Sequence, residues 1–415
     1  MLGNIILTKL AHSPDAIART PHVQVSQTLA GSFTICIALY DKYFININLA
    51  QRIVSVSELA PINSHQAQTP SSLPARFGMI GTAIVALLCL VTYDAVVHDR
   101  DLLEKDRVDW TMFGLVRPVV TFVAACLPVL GLRPHPSNAR PLENQSGLLA
   151  VVYVMGGLLL LAAASVVLAP QVLFDTVREG GPVSNLTELV FLIALAGLGA
   201  AGWRARRERA RVFGLPVPVI FAGMFVVTFL ILMEEMSWGQ HWIGWSAGPM
   251  FEGNAQDETN LHNFATYKFE AAYYSAAFLF FVALPAFWPA RVGGWWKQVE
   301  SFVPPKLLAL ASLPLTGFLY EEWNVVPYQV WFFMGLLIAI LLAAELRHER
   351  PAPRVAGLMM AILLPVSQLV FVFGGHRMLD GYELSEIREL LIPGIIAAYG
   401  WWLFTSRGDA GWLAR

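Results

Sequence analysis

The stretch G-L-L-A-V-V-Y-V-M-G-G-L-L-L-L-A-A-A-S-V-V-L-A, from Gly147 to Ala169, carries no charge, and only Tyr153 and Ser165 offer a strong side-chain hydrogen-bonding group. A helix that is apolar on every face is either buried in protein or surrounded by lipid. About 20 such residues cross a bilayer. The rest of the chain repeats the pattern. Comparable runs lie near 77–97, 110–132, 183–202, 215–234, 267–288, 305–320, 326–345, 355–374 and 385–404. The run at 305–320 is short and holds Pro305 and Pro314 just after Pro304, so any irregular backbone there must be shielded by protein. Overall 56% of residues are hydrophobic and 14% charged, with mean hydropathy +0.55, whereas soluble domains carry roughly 25% charged residues. The expected fold is all-α: a polytopic transmembrane bundle of about ten spans over residues 73–415, arranged as five hairpins.

Residues 1–72 hold no run long enough to span. Their best apolar piece, Thr28 to Tyr40, stops at Asp41-Lys42. The segment lacks the apolar core and cleavage pattern of a signal peptide. It reads as a partly disordered cytoplasmic tail, or as the product of a start codon assigned too early. Cys36, Cys89 and Cys126 are far apart, which suggests neither a disulfide framework nor a thiolate metal site. Cys89 and Cys126 fall in apolar runs and read as buried small hydrophobes. A net charge of −2 gives no basis for a nucleic-acid partner. The bilayer is the partner the composition demands.

Basic residues orient the spans. W-R-A-R-R-E-R-A-R, with Arg204, Arg206, Arg207, Arg209 and Arg211, marks a cytoplasmic break. Alternate breaks, with Arg133 and Arg140, with Arg291, Lys297 and Lys306, and with Arg347, Arg350 and Arg354, share its side. The opposite breaks hold fewer basic residues and most of the acids. Both termini are expected inside.

One outer segment stands apart. It runs E-E-M-S-W-G-Q-H-W-I-G-W from Glu234 to Trp245 and continues to N-A-Q-D-E-T-N-L-H-N, ending at Asn263, within a structured loop expected over 234–266. Carboxylates at the end of an apolar span are costly and mark function or pairing. Were the helix to continue, Glu234, Ser237 and His241 would share a face, and a turn of helix would do the same for Glu258 and His262. Glu234 or Glu235, His241, Glu258 and His262 could hold a divalent metal such as zinc, which would activate water. Glu321, Glu322 and His376 would approach from other hairpins, and Gln240, Asn260 and Asn263 would support the site. A second reading makes Ser237 a nucleophile with His241 as base. In a third the loop is structural: its acids pair with Lys268 or Arg377, and Trp238, Trp242 and Trp245 form one interfacial stripe. Deeper in the spans, Arg117 is expected to pair with Glu188, Asp94 or Glu389.

At E-E-M-S-W-G-Q and N-L-H-N the chain resembles a set of bacterial multi-span membrane proteins that carry E-E-x-S-W-G-Q followed some 20 residues later by a Glu-containing N-L-H-N. That resemblance implies an inner-membrane setting and no established activity. Glu234-Glu235 is also similar to the paired-glutamate element of CAAX-type intramembrane proteases. The Arg expected soon after it is absent, and His241, His262 and His376 lie outside that family's histidine contexts. The functional expectation is an enzyme, metal-assisted, acting on a lipid or lipid-linked substrate at the outer leaflet. The alternatives are a non-catalytic transporter or an assembly or binding protein, and a CAAX-protease-like hydrolase. No motif names a cofactor.

Overall fold

A computed structural model describes residues 73–415 apart from 104, 135–137, 141–144, 179, 255–257 and 407–415, together with three strands before residue 49; for His241 and Tyr382 it describes the backbone alone. The chain divides into two units, Met1–Pro70 and Ser71–Arg415. In the first, β1 (Val23–Gln27), β2 (Phe33–Leu39) and β3 (Tyr43–Asn48) form an antiparallel meander, with Ile37 opposite both Val23 and Ile45. The apolar piece too short to span is thus partly a strand, as its β-branched Thr34, Ile35 and Ile37 favour. The remainder of the expected tail, and the side chain of Cys36, lie outside the described residues.

The second unit is the helical bundle. Its elements are α1 (Leu73–His98), α2 (Met112–Leu132), α3 (Ser146–Leu168), α4 (Pro182–Ala205), α5 (Val217–Glu235), α6 (Thr266–Phe287), α7 (Lys306–Ser312), α8 (Val326–Leu346), α9 (Pro351–Gly374) and α10 (Ser385–Ser406). All of these except α7 are long and apolar enough to cross a membrane. Their starts follow local chemistry. The Thr111 hydroxyl caps α2 by accepting from the Gly114 N–H at 3.2 Å. α4, α5, α8 and α9 open with proline in the first turn, where the missing N–H costs nothing. The arginine-rich break after α4 closes as a tight two-strand turn, Arg211–Val212 against Leu215–Pro216.

The proline-bearing run behaves unlike the rest. α7 has seven helical residues, continues as a 3-10 turn over Leu313–Thr316, then unwinds to Tyr320. It nevertheless crosses the bundle. Lys306 at its start bonds Glu345 at one end of α8 at 2.6 Å, whereas Glu322 and Asn324 at its close lie at the other end of α8. Those ends are about 30 Å apart, given about 1.5 Å per residue. Every residue from Phe302 to Tyr320 is buried. Irregular backbone at membrane depth needs partners from protein, and they are present. The Tyr399 hydroxyl donates to the Phe302 carbonyl at 2.6 Å, Arg140 reaches the Val303 and Pro304 carbonyls at 3.4 and 3.3 Å, and Arg388 donates to the Phe318 carbonyl at 2.7 Å. At the unwound end the Tyr320 ring lies in a space that only glycine permits: a Cβ on Gly375 or Gly381 would meet it at 2.3 and 2.4 Å.

Around α7 the long helices pack as neighbours. α1 lies on α2, α2 on α8, α8 on α9 and α9 on α3, while α10 packs on α4 and α4 on α5; α7 touches α3, α6 and α10. The loops gather at two ends, one rich in acids and one rich in arginine and lysine. They are called here the acidic end and the basic end. Of the cysteines, Cys126 is half-buried, but Cys89 is exposed on the outward side of α1. Burial in protein was therefore the wrong expectation for Cys89: on a helix whose apolar side chains face lipid, an apolar position need not be interior.

Candidate functional site

α5 does not continue to His241. After Glu235 and Met236, Ser237 and Trp238 take φ values of 45° and 55°, and Gly239 follows at 92°. Left-handed backbone costs a residue with a side chain about 1–2 kcal/mol, so something must hold it. The holding contacts come from the second half of the loop. The buried Ser237 hydroxyl donates to Glu258 Oε2 at 2.6 Å and accepts from Asn260 Nδ2 at 3.0 Å. The same Glu258 oxygen accepts from Asn260 at 2.6 Å and Asn263 at 3.3 Å. Gln240 Oε1 accepts from the Thr259 N–H at 2.6 Å, and Asn254 donates to the Asn260 carbonyl at 2.9 Å. Glu234 accepts from the Trp238 indole at 2.8 Å and from the backbone N–H groups of Leu261 and His262 at 2.7 and 3.2 Å. E-E-M-S-W-G-Q and E-T-N-L-H-N are the two halves of one polar clasp.

This geometry corrects three expectations. Glu234, Ser237 and His241 do not share a helix face, because the positive φ values end the helix between them. Glu258 and His262 do not point the same way: Glu258 turns to Ser237, while His262 Nδ1 lies 3.5 Å from Glu234. The tryptophans are not one stripe, since the helix there spans only Gln240–Ile243. Trp238, Trp242 and Trp245 send their indole N–H groups separately to Glu234, Glu188 and Thr259. Among the described residues no three His, Cys, Asp or Glu side chains are grouped to hold a metal; the His241 side chain lies outside them.

Beneath the clasp is a second polar layer, inside the bundle. Lys105 forms ion pairs with Glu270 and, at 3.5 Å, with Glu322. Arg388 grips Glu322 with two bonds of 2.9 and 2.6 Å, and its guanidinium lies over the Tyr274 and Tyr328 rings. The Tyr274 hydroxyl donates to Glu389 at 2.7 Å. Glu235 sits within electrostatic reach of Glu389, Glu270, Glu188 and Glu234, and Tyr273 within reach of Glu235 and Glu389. The hydroxyls of Tyr273 and Tyr328 and Arg388 Nε are buried without a hydrogen-bond partner among the described residues. Orphans of that kind mark places where a water or a ligand group completes the network.

Arg117 pairs with Asp94 at 2.8 Å and bonds Asn324 at 3.0 Å, one of the expected partners and one unforeseen. Arg377 bonds the Val167 carbonyl, with no acid partner shown among the described residues, and His376 is exposed. At the rim, Glu321 is raised to about 7 by burial and by Asp380, which outweigh Lys105 and Arg107. Asp109 is buried too, which works to raise it, yet bonds from Thr111 and the charge of Arg100 hold it below the ordinary carboxylate value. Lys105, Glu270, Tyr274, Tyr328 and Arg388 were absent from the sequence reading of the site. Arg388-Glu389 was the available signal: adjacent opposite charges inside an apolar run.

An apolar groove lies along the bundle on the basic-end side of this layer. Two adjoining cavities of about 280 and 400 Å³ share Met224 and Phe280 and run between α5 and α6. The nearer one is walled by four helices, three of which carry a polar residue near the same face about two turns further on. Thr228 precedes Glu235 by seven positions, Phe280 follows Tyr273 by seven, and Ile396 follows Glu389 by seven, while Leu198 lies ten beyond Glu188. Seven residues are close to two turns. No family model, no curated protein and no solved structure matches the chain.

Proposed function

We propose that the chain is an integral inner-membrane enzyme acting by acid–base chemistry on a lipid or lipid-linked substrate at the outer leaflet. The observation that carries this reading is the apolar groove between α5 and α6 whose walls lead to Glu235, Tyr273, Glu389 and Glu188. A hydrocarbon chain enters such a groove from the side, which places its head group among the carboxylates. Glu235 and Glu389 are the candidate proton-transfer groups, and no hydrogen bond from the described residues occupies Glu235. Tyr273 supplies a hydroxyl that no described residue engages. The clasp covers the site, and its Trp242–Glu188 bond ties the cover to α4. Glu234 and Glu258 act as clasp residues in this reading, because their oxygens are already taken by donors. Metal analysis of the purified protein, alone and with His241→Ala, His262→Ala or Glu258→Gln, tests the metal-assisted variant of this reading. By the basic-residue bias, the acidic end faces outward and both termini lie inside. The resemblance at the clasp motif supports a bacterial setting.

The test compares lipid extracts of membranes carrying the wild-type chain with those carrying Glu235→Gln or Glu389→Gln. We expect at least one lipid species to change only with the wild type. Identical extracts from correctly folded wild type and variants would end the enzyme reading.

A transporter is the second reading, and one observation favours it: α7 is a broken crossing through the centre of the bundle, the kind of element that forms transport sites. Vesicle flux that survives loss of lipid turnover would select it.

A further inference from the structure

At the opposite end of the bundle from that layer, a cavity of about 460 Å³ opens between α2, α6, α7 and α8. Its size falls in the range of small-molecule sites. Four cations line it: Arg133 at the close of α2, Arg140, Lys306 at the start of α7, and Arg347 just past α8. Among the described residues Glu345 is the single carboxylate in the lining. Arg140 and Lys306 are buried at 8% and 4% exposure, and both already have protein partners: Arg140 reaches the Val303 and Pro304 carbonyls, and Lys306 is neutralised by Glu345. Arg133 and Arg347 are exposed, and no carboxylate among the described residues pairs with either. The rest of the wall is apolar, with Phe287 and Leu341 facing the same space. Four cations against one acid among the described residues repel one another, and an anion held among them relieves that cost.

We infer that this cavity binds a phosphate group, supplied by an anionic phospholipid head. The location fits that source. The cavity lies where four helices end, at headgroup level, and basic pockets between helices take such heads. The apolar part of the wall then receives the start of the acyl chains, and the guanidiniums of Arg133 and Arg347 form charge-assisted bonds to the phosphate oxygens. The ligand stabilises the start of α7 through its neighbours, which ties the least regular crossing to the lipid around it. This inference is independent of the chemistry proposed at the acidic end.

The experiment uses the full chain in neutral detergent. Melting temperature and retained lipid, by native mass spectrometry, are followed on adding phosphatidylglycerol, phosphatidylcholine or inorganic phosphate. The variants are Arg133→Gln with Arg347→Gln, both exposed and outside every buried pair, and Arg204→Gln with Arg207→Gln as a control at the same end. Phosphatidylglycerol should raise the melting temperature and remain bound, with phosphatidylcholine silent. The Arg133/Arg347 variant should bind it roughly 25-fold more weakly, at about a factor of five per surface charge, and the control should not. If inorganic phosphate reproduces the shift with the same arginine dependence, the phosphate site stands and its source is the free anion. If the Arg133/Arg347 variant and the control weaken phosphatidylglycerol binding equally, or neither does, the site is overturned and the end is only generally basic.

Discussion

Arg388 holds Glu322 through paired bonds of 2.9 and 2.6 Å, with both side chains almost wholly out of contact with solvent. The same guanidinium supplies the Phe318 carbonyl, so one side chain neutralises a carboxylate and completes the backbone of the broken crossing. Removing one partner of a buried pair leaves the other uncompensated, at about 3–5 kcal/mol. Lys105 still lies 3.5 Å from Glu322, so we expect Arg388→Met to lower stability by about 3 kcal/mol, the lower end of that range. Arg388→Met with Glu322→Leu should recover part of the loss, but not the share due to Phe318. Unfolding in mixed micelles measures both, and equal stability of Arg388→Met and wild type would refute the assignment.

The clasp makes a comparison between two small substitutions. Ser237→Gly and Ser237→Ala both lose the bonds to Glu258 and Asn260, but only glycine accepts a φ of 45° without strain. Ser237→Ala should therefore be the less stable by about 1 kcal/mol and should open the 234–266 loop to protease sooner. The opposite order of cleavage would show that the turn is not held in this conformation.

Glu321 gives a pH dependence with a defined sign. Burial and Asp380 raise its carboxyl from an ordinary 4.5 to about 7, so the folded protein holds that proton more tightly than the unfolded chain does. Stability from this group is complete below about 4.5 and is lost as pH rises through about 7. The loss is on the order of 1 kcal/mol once solvent screening is allowed for. Glu321→Gln should flatten the melting profile between those values. A wild-type profile that rises over the same window would contradict it.

Tyr320 fills the space left by two glycines. Gly375→Ala puts a methyl 2.3 Å from its ring, an overlap costing about 1–3 kcal/mol or more. Shortening the ring in the double variant Gly375→Ala with Tyr320→Leu should restore part of it. Thermal unfolding of the two variants decides, and the lack of any rescue would mean that the ring and Gly375 do not meet as described.

The spans were legible because lipid requires long apolar helices, and little else in a sequence imitates them. Ser146–Leu168 and Val326–Leu346 fall within a residue or so of the runs read by composition. The clasp was legible as a segment but not as a geometry. Spacings of three and four imply a shared face only while the helix lasts, and nothing in the residue types at Ser237 and Trp238 announces a left-handed turn. Arg117 with Asp94 was legible because both are charges at span depth. Lys105 was missed for the opposite reason: it belongs to a loop that sequence treats as solvated, yet its side chain is 1% exposed. Tertiary structure brings it beside Glu270, some 165 positions away.

The brevity of α7 bears on how the chain enters the membrane. A translocon admits segments on their own apolarity, and a seven-residue helix that opens on Lys306 and breaks at Pro314 is a poor candidate for release into lipid. Its stability comes from α3, α6 and α10, which means it is retained only after they have gathered. We expect a chain truncated after Thr316 to leave a C-terminal topology reporter divided between the two sides, and the chain extended through α10 to place Ser406 on one side alone. Biogenesis would then finish with a post-insertional step, the drawing of one strand of backbone through a wall already built.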